Sequence, residues 1–437
     1  MHSFQRYVRA LVLFLVVLIP LSTIACVTQN PPIGESQGVE TTALEMYPDS
    51  TEPDSSEAES AETTQPPAES TTEAQPEEQI GSNVSDVSLA AAQGLRSSVS
   101  VYCSFKINSF FGVTSGTSSG SGVIYQLDGE NGSAFIITNY HVVYYSGSTT
   151  KNGISDDISI CLYGMESVEY AIPATYVGGS ANYDIAVLRI ENSSLLKHAY
   201  SYGSVKAVTL ADSDQIRVGQ TAIAIGNPES YGISVTTGIV SVDSEYITKS
   251  ASLGVGSVAL RVIRIDTAVN SGNSGGGLFD GYGRLIGIVN AKITASDVEN
   301  IGYAIPSNIA RAIADNIIDY CFGKDCESVM RGLLGFSVQV SALGTKYDPE
   351  TGVIYRYEKI SVATVSEGGL GEKILKVGDI VKSITVGEKT IQVTRQHHLM
   401  DAMLDVRVGD TVTFEIERDG ETITVETVIT EDCLAAY

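Results

Sequence analysis

Asn270-Ser271-Gly272-Asn273-Ser274-Gly275-Gly276-Gly277-Leu278 sets one serine pair among four glycines. Alone this is an ordinary loop composition, so its surroundings decide the reading. On both sides the chain runs in short apolar segments separated by Gly, Asn, Asp and Ser. They include Gly122-Val123-Ile124-Tyr125, Ala134-Phe135-Ile136-Ile137, Ile185-Ala186-Val187-Leu188, Ala222-Ile223-Ala224-Ile225 and Leu285-Ile286-Gly287-Ile288-Val289. From about 99 to 304 these read as strands of an antiparallel all-β domain. The 42 glycines argue against long helical arrays, because glycine weakens helices and marks turns. One helix stands out after Pro306. Ile309, Ala310, Ile313, Ala314, Ile317 and Ile318 recur at helical spacing, with Ser307 as its expected cap and an end near Phe322-Gly323.

Two further residues give the serine loop a chemical reading. Among five histidines, His141 follows an apolar strand in Thr138-Asn139-Tyr140-His141-Val142-Val143, and Asp184 precedes another in Asn182-Tyr183-Asp184-Ile185-Ala186. A serine hydroxyl is a poor nucleophile at neutral pH and needs a base within hydrogen-bond reach. Histidine can take that proton and return it to a leaving amine. An aspartate on the other ring nitrogen fixes the tautomer and stabilises the imidazolium. Glycines around Ser274 let the Gly272 and Ser274 N–H groups converge on a developing oxyanion. The order His, Asp, Ser on an all-β chain is one solution for acyl transfer.

On these segments, together with Gly120-Ser121-Gly122-Val123-Ile124 and Ile301-Gly302-Tyr303-Ala304-Ile305-Pro306, the chain resembles the trypsin-like serine proteases of the HtrA-like type. The resemblance implies two antiparallel six-stranded β-barrels with the catalytic cleft between them. It implies His141 as base, Asp184 as its orienter and Ser274 as nucleophile, with Gly272 and Ser274 forming the oxyanion hole. It places Ala268, six residues before the nucleophile, at the base of the primary specificity pocket, with Ile293 and Lys292 on the opposite wall. Preference for Lys or Arg would require a carboxylate there to pair a buried cation. Ala268 has none, and Asp266 is expected in the strand leading in, so cleavage after Val, Ala, Ile or Leu is the expectation.

A smaller unit follows, with strands expected at Phe336–Val340, Asp379–Val386, Thr411–Arg418 and Thr422–Ile429 and a helix at about His397–Leu404. It resembles a PDZ domain, with Leu333-Leu334-Gly335-Phe336 as the carboxylate-binding loop. Exposed N–H groups in a tight glycine turn can cradle a terminal carboxylate while an apolar peptide adds as a strand. Gly344–Tyr357 reads as an insertion, and His397-His398 is unusual for the groove helix. The alternative is an accessory β-domain that binds no peptide.

The first residues read as an address. Arg6 and Arg9 precede an apolar run from Ala10 to Ile19, and Cys26 directly follows Ala25. This is an export signal, and it resembles a bacterial lipoprotein signal in which Cys26 carries the lipid. Thr23 departs from the usual Leu, and an uncleaved signal anchor is the alternative. Either places the rest outside the cytoplasm, attached to the bacterial cell membrane. The stretch that follows is rich in Glu, Thr, Ser, Pro and Ala and reads as a disordered tether spanning ~45 Å root-mean-square. The expected division is 1–25 signal, 26–88 linker, 89–323 protease domain and 329–433 PDZ-like domain.

The formal charge is −25, and residues 27–95 hold 14 acidic residues with no Lys or Arg. That balance argues against nucleic acid as a partner. Neither a Cys/His metal spacing nor a His-Glu-x-x-His motif occurs, so no cofactor or metal is expected. Of Cys103, Cys161, Cys321, Cys326 and Cys433, the pair 321 and 326 could clip a small loop, or all could be free buried thiols. The reading is a membrane-tethered serine endopeptidase acting on unfolded polypeptides, with peptides bound by the PDZ-like unit and a homotrimer as the family's common assembly. Its rival is a catalytically silent scaffold or chaperone of the same fold.

Overall fold

The computed structural model describes residues 86–109, 112–250, 257–291, 301–323, 329–350 and 352–436. The signal, Cys26, nearly all of the tether, Lys292, Ile293 and Cys326 lie outside them. The described chain begins with α1 (Val87–Leu95). Asp86 caps it, accepting hydrogen bonds from the Ser88 N–H and hydroxyl at 2.8 and 2.6 Å. Helix α1 thus takes in the last two residues that the sequence assigned to the linker.

The first barrel holds β1 (Ser98–Ser109), β2 (Gly112–Asp128), β3 (Ser133–Thr138), β4 (Asp157–Leu162), β5 (Ile172–Ser180) and β6 (Ile185–Ile190), closed in the order β1-β2-β3-β6-β5-β4. The second holds β7 (Thr221–Gly226), β8 (Ser234–Ser250), β9 (Ser257–Ile265), β10 (Gly277–Phe279), β11 (Leu285–Val289) and β12 (Gly302–Pro306), closed as β10-β11-β12-β9-β8-β7. Helices α2 (Tyr140–Val143) and α3 (Ser194–Ser201) decorate the first barrel, and α4 (Ser307–Cys321) follows the second.

Successive side chains in a strand face opposite sides, which is why these strands read as unbroken apolar runs. Ile136 and Leu188 point into the first barrel, whereas their neighbours Ile137 and Val187 join a second cluster outside it. Ala224 fills the second barrel, whereas Ile225 joins that same outer cluster, with Ile309, Ile313 and Ile317 of α4. Both faces are buried, and each fully buried isoleucine contributes about 1.5–3 kcal/mol. Ser307 does not cap α4. Pro306 occupies the cap position, and the Ser307 hydroxyl donates instead to the Ala211 carbonyl at 2.9 Å.

The C-terminal domain is built on β14 (Phe336–Asp348), β15 (Val353–Val365), β16 (Ile380–Val386), β18 (Thr411–Arg418) and β19 (Glu421–Val428), with β17 (Lys389–Gln392) paired to β16. Helix α5 (Gln396–Asp405) packs on it, and β13 (Met330–Gly332) pairs with β20 (Leu434–Ala436). The Gly344–Tyr357 insertion is a continuation of the β14–β15 hairpin, with Gly344 opposite Tyr357 and Asp348 opposite Val353. Cys321 is in a disulfide whose partner lies outside the described residues, while Cys103, Cys161 and Cys433 are buried free thiols.

This domain docks on the second barrel and α4 through apolar packing, with Leu404 and Val329 joining the outer cluster, and through charge. Arg261 of β9 has a side chain only 3% exposed and pairs with Asp214 at 3.2 Å and with Asp401 of α5. Burial opposes its charge, yet the two carboxylates hold the guanidinium above its ordinary value. Arg311 of α4 meets Asp405 at 2.7 Å, Arg395 meets Asp243 at 3.1 Å, and Arg407 meets Asp319 at 3.0 Å.

Candidate active site

His141 lies in α2, directly after β3, and Asp184 lies directly before β6, so the strand pair β3–β6 sets them side by side. His141 Nδ1 donates to Asp184 Oδ2 at 2.8 Å, and the His141 backbone N–H donates to Oδ1 at 3.0 Å. Asp184 is buried and held at φ +56°, a left-handed conformation that aspartate tolerates better than most residues. The Asp184 carbonyl is held by the Asn139 side-chain amide at 2.8 Å and the Tyr140 N–H at 3.2 Å. The carboxylate therefore reaches the ring from an over-determined backbone.

Asn290, fully buried at the end of β11, donates its Nδ2 to Asp184 Oδ2 at 2.7 Å. The first barrel supplies the histidine and aspartate, and the second supplies the amide that fixes the aspartate. Sequence reading passed over Asn290. Its only signal was a polar residue closing the apolar run 285–289.

Ser274 sits in the turn between β9 and β10, 5% exposed. Its Oγ accepts a 3.3 Å bond from the Ala291 N–H, and among the described residues no hydrogen bond joins it to His141. The turn is bolted to the first barrel by Ser121 of β2. The Ser121 N–H donates to the Ser274 carbonyl at 2.8 Å, and its hydroxyl donates to the Gly272 carbonyl at 2.8 Å while accepting from the Asn227 N–H at 2.8 Å. The Ser271 carbonyl accepts from the Glu229 N–H at 2.9 Å. Because a peptide is planar, fixing that carbonyl directs the Gly272 N–H the opposite way. Among the described residues neither the Gly272 nor the Ser274 N–H finds an acceptor. Gly272 has φ +95°, and a Cβ there would lie 2.2 Å from the Asn227 carbonyl oxygen. Glu229 and Ser230 are themselves at φ +51° and +63°, so the loop facing Gly272 carries strain.

Around the expected specificity pocket, Ala268 is exposed and its carbonyl accepts from the Thr236 hydroxyl at 2.9 Å. Asp266 lies just past the end of β9, and its carboxylate accepts from the Ile239 N–H at 2.6 Å. In the C-terminal domain, Gly335 at φ +73° turns the chain between Leu334, which is buried, and Phe336. The Leu333 N–H is taken by the Cys433 carbonyl at 2.7 Å, whereas among the described residues the Leu334 and Gly335 N–H groups have no acceptor. His397 and His398 are both buried, and His397 lies against Ser244 of β8.

A family model of the trypsin-like peptidase domain matches residues 120–288. The serine protease Do-like HtrA of Bacillus subtilis is 33% identical over 330 residues, which is 72% of this chain and 66% of that protein. The serine protease Do-like HtrA of Lactococcus lactis subsp. cremoris is 31% identical over 344 residues, 72% of this chain and 74% of that one. The periplasmic pH-dependent serine endoprotease DegQ of Escherichia coli is 33% identical over 274 residues, 61% of this chain and 50% of that protein.

Proposed function

This chain belongs to the HtrA family of trypsin-fold serine proteases, and from that premise we propose that it is an extracytoplasmic, membrane-tethered endopeptidase of unfolded polypeptides with His141, Asp184 and Ser274 as its catalytic triad. The observation that carries this reading is the 2.8 Å Nδ1–Oδ2 bond from His141 to Asp184 beside a serine turn with two N–H groups that lack an acceptor among the described residues. Asp184 on Nδ1 leaves Nε2 as the lone-pair nitrogen facing the cleft. Attack requires Ser274 Oγ to turn from the Ala291 N–H to Nε2. His141 then takes the hydroxyl proton as the Oγ–C bond forms, and the carbonyl oxygen receives the electron pair between the Gly272 and Ser274 N–H groups. Collapse expels the amine, which takes the proton from His141. Water repeats the sequence on the acyl-enzyme.

A pocket based on Ala268 would suit a small or medium apolar side chain, because the Asp266 carboxylate is already engaged by the Ile239 N–H. Discrimination of ~1–3 kcal/mol per methylene makes the preference broad. The Leu334 and Gly335 N–H groups, without an acceptor among the described residues, support capture of a peptide C-terminus by the C-terminal domain. Cys26 is assigned as the lipidated residue, and an assembly of three copies is the expected oligomer.

Ser274→Ala abolishes hydrolysis of an unfolded substrate, and a fluorophosphonate labels Ser274 in the wild type. Full turnover by the alanine variant would refute the triad. A wild type that neither labels nor cleaves would make the chain a silent scaffold, the reading that the absent Ser274–His141 bond favours. Mapping of cut sites tests the pocket, and a dominant preference for Lys or Arg removes it. Mass spectrometry of the membrane-bound form tests the anchor: an intact Met1 rules out lipidation at Cys26.

A further inference from the structure

The seam between the second barrel and the C-terminal domain holds a donor cluster that catalysis does not use. Asp214, in the segment leading to β7, meets His397 and His398 of α5, and one potential ligand atom from each lies within 4.8 Å of the others. We propose that Asp214, His397 and His398 form a site for one zinc ion that staples α5 to the protease domain.

Each ligand is already oriented by a partner outside the cluster. His398 Nδ1 lies 2.9 Å from the Gln392 carbonyl and 3.3 Å from the Thr394 N–H; the shorter contact, to an oxygen that can only accept, puts the proton on Nδ1 and leaves Nε2 with the lone pair. The Ser244 hydroxyl lies 3.5 Å from His397 Nδ1, and His397 Nε2 faces Asp214 Oδ1 at 3.8 Å, beyond hydrogen-bond length. Asp214 is held on its other oxygen by the Asn308 amide at 2.9 Å and on Oδ1 by Arg261. Such outer partners fix tautomer and ring orientation at metal sites.

The donor chemistry selects the ion. Two imidazoles and one carboxylate suit zinc, whereas calcium and magnesium require mostly oxygen ligands. Zinc at ~2.0–2.2 Å from each ligand would draw the three atoms together by up to roughly 1.5 Å and leave a fourth position for water. Arg261 shares both Asp214 and Asp401, so a bound ion would compete with its guanidinium for Asp214 Oδ1. Sequence spacing could not reveal the site, because Asp214 and the histidine pair belong to different domains.

The test uses full-length protein carrying Ser274→Ala, to prevent self-digestion, and no histidine tag. Calorimetric titration with zinc gives one site per chain, and cobalt produces the visible absorption of a four-coordinate site. Asp214→Asn, His397→Gln and His398→Gln each weaken zinc binding at least tenfold, while His198→Gln, on the exposed α3, leaves it unchanged. Absence of stoichiometric zinc binding by the parent protein overturns the proposal. So does undiminished binding by folded His397→Gln and His398→Gln variants, which would place the zinc elsewhere, for instance at His141.

Discussion

The two seams of this molecule are built on different physics. Where the barrels meet at Ser274, contact is made by neutral hydrogen bonds from one backbone to another through Ser121, with glycines packed against carbonyl oxygens. Where the C-terminal domain meets the protease domain, arginines and carboxylates add to the apolar contact of Leu404, with Arg261 nearly removed from solvent. Backbone hydrogen bonds with steric exclusion tolerate displacement of only tenths of an ångström, which would suit the proposed oxyanion hole of the Gly272 and Ser274 N–H groups. Long ion-pairing side chains can part and re-form, so the second seam holds a domain without fixing every atom. Each seam should therefore fail in its own way.

The largest effect should come from Arg261→Met, which leaves Asp214 and Asp401 without their cation. The cost is about 3–5 kcal/mol of stability, read by calorimetry. Adding Asp401→Leu should restore part of it. A loss under about 1 kcal/mol, the range of an exposed pair, would mean that the charge seam is solvated and the contrast fails.

Gly272→Ala comes next. The new Cβ collides with the Asn227 carbonyl and the residue resists φ +95°. Loss of the Gly272 donor should lower kcat by roughly 10²–10³, about 2.7–4 kcal/mol in the barrier. Melting should change far less than in Arg261→Met, and an unchanged kcat would show that the N–H is not aimed at the reacting oxygen.

Asn290→Ala removes a charge-assisted bond to Asp184, of about 1.5–3 kcal/mol. We expect kcat to fall roughly 10–100-fold at unchanged KM, with Asn290→Ser recovering part. Equal losses in the alanine and serine variants would reduce Asn290 to a packing residue. The smallest effect belongs to Arg407→Ala, because Asp319 is 55% exposed. A change of about 0–1 kcal/mol that vanishes in high salt is expected by denaturant titration. A larger one would extend the buried charge seam to its rim.

The strands were legible in the sequence wherever both faces are buried, as in Ile136-Ile137 and Ala224-Ile225. A short apolar run bounded by turn residues is what a strand covered on both sides requires. The Ser274 turn was legible because glycine is costly in strand interiors and so marks tight geometry. Asn290 was not: its importance comes from a contact with Asp184 across the barrel seam, and nothing local distinguishes it. Helix α1 was hidden by sharing the tether's small and polar composition, although Asp86 supplied a capping signal. The hairpin extension looked like an insertion because exposed Leu343, Tyr347 and Ile354 have no core to impose strict alternation. His397 and His398 were read against a peptide groove, but the barrel surface is their neighbour.

The three unpaired thiols have a redox consequence. Only a thiolate attacks a disulfide. Burial, reinforced by Asp157, pushes the Cys103 thiol up to about 12, so the reactive anion is scarce at neutral pH. Burial and Glu166 raise Cys161 as well. In an oxidising compartment, these two thiols are shielded chemically as well as sterically from exchange with the Cys321 disulfide, so they need not scramble the bond that follows α4.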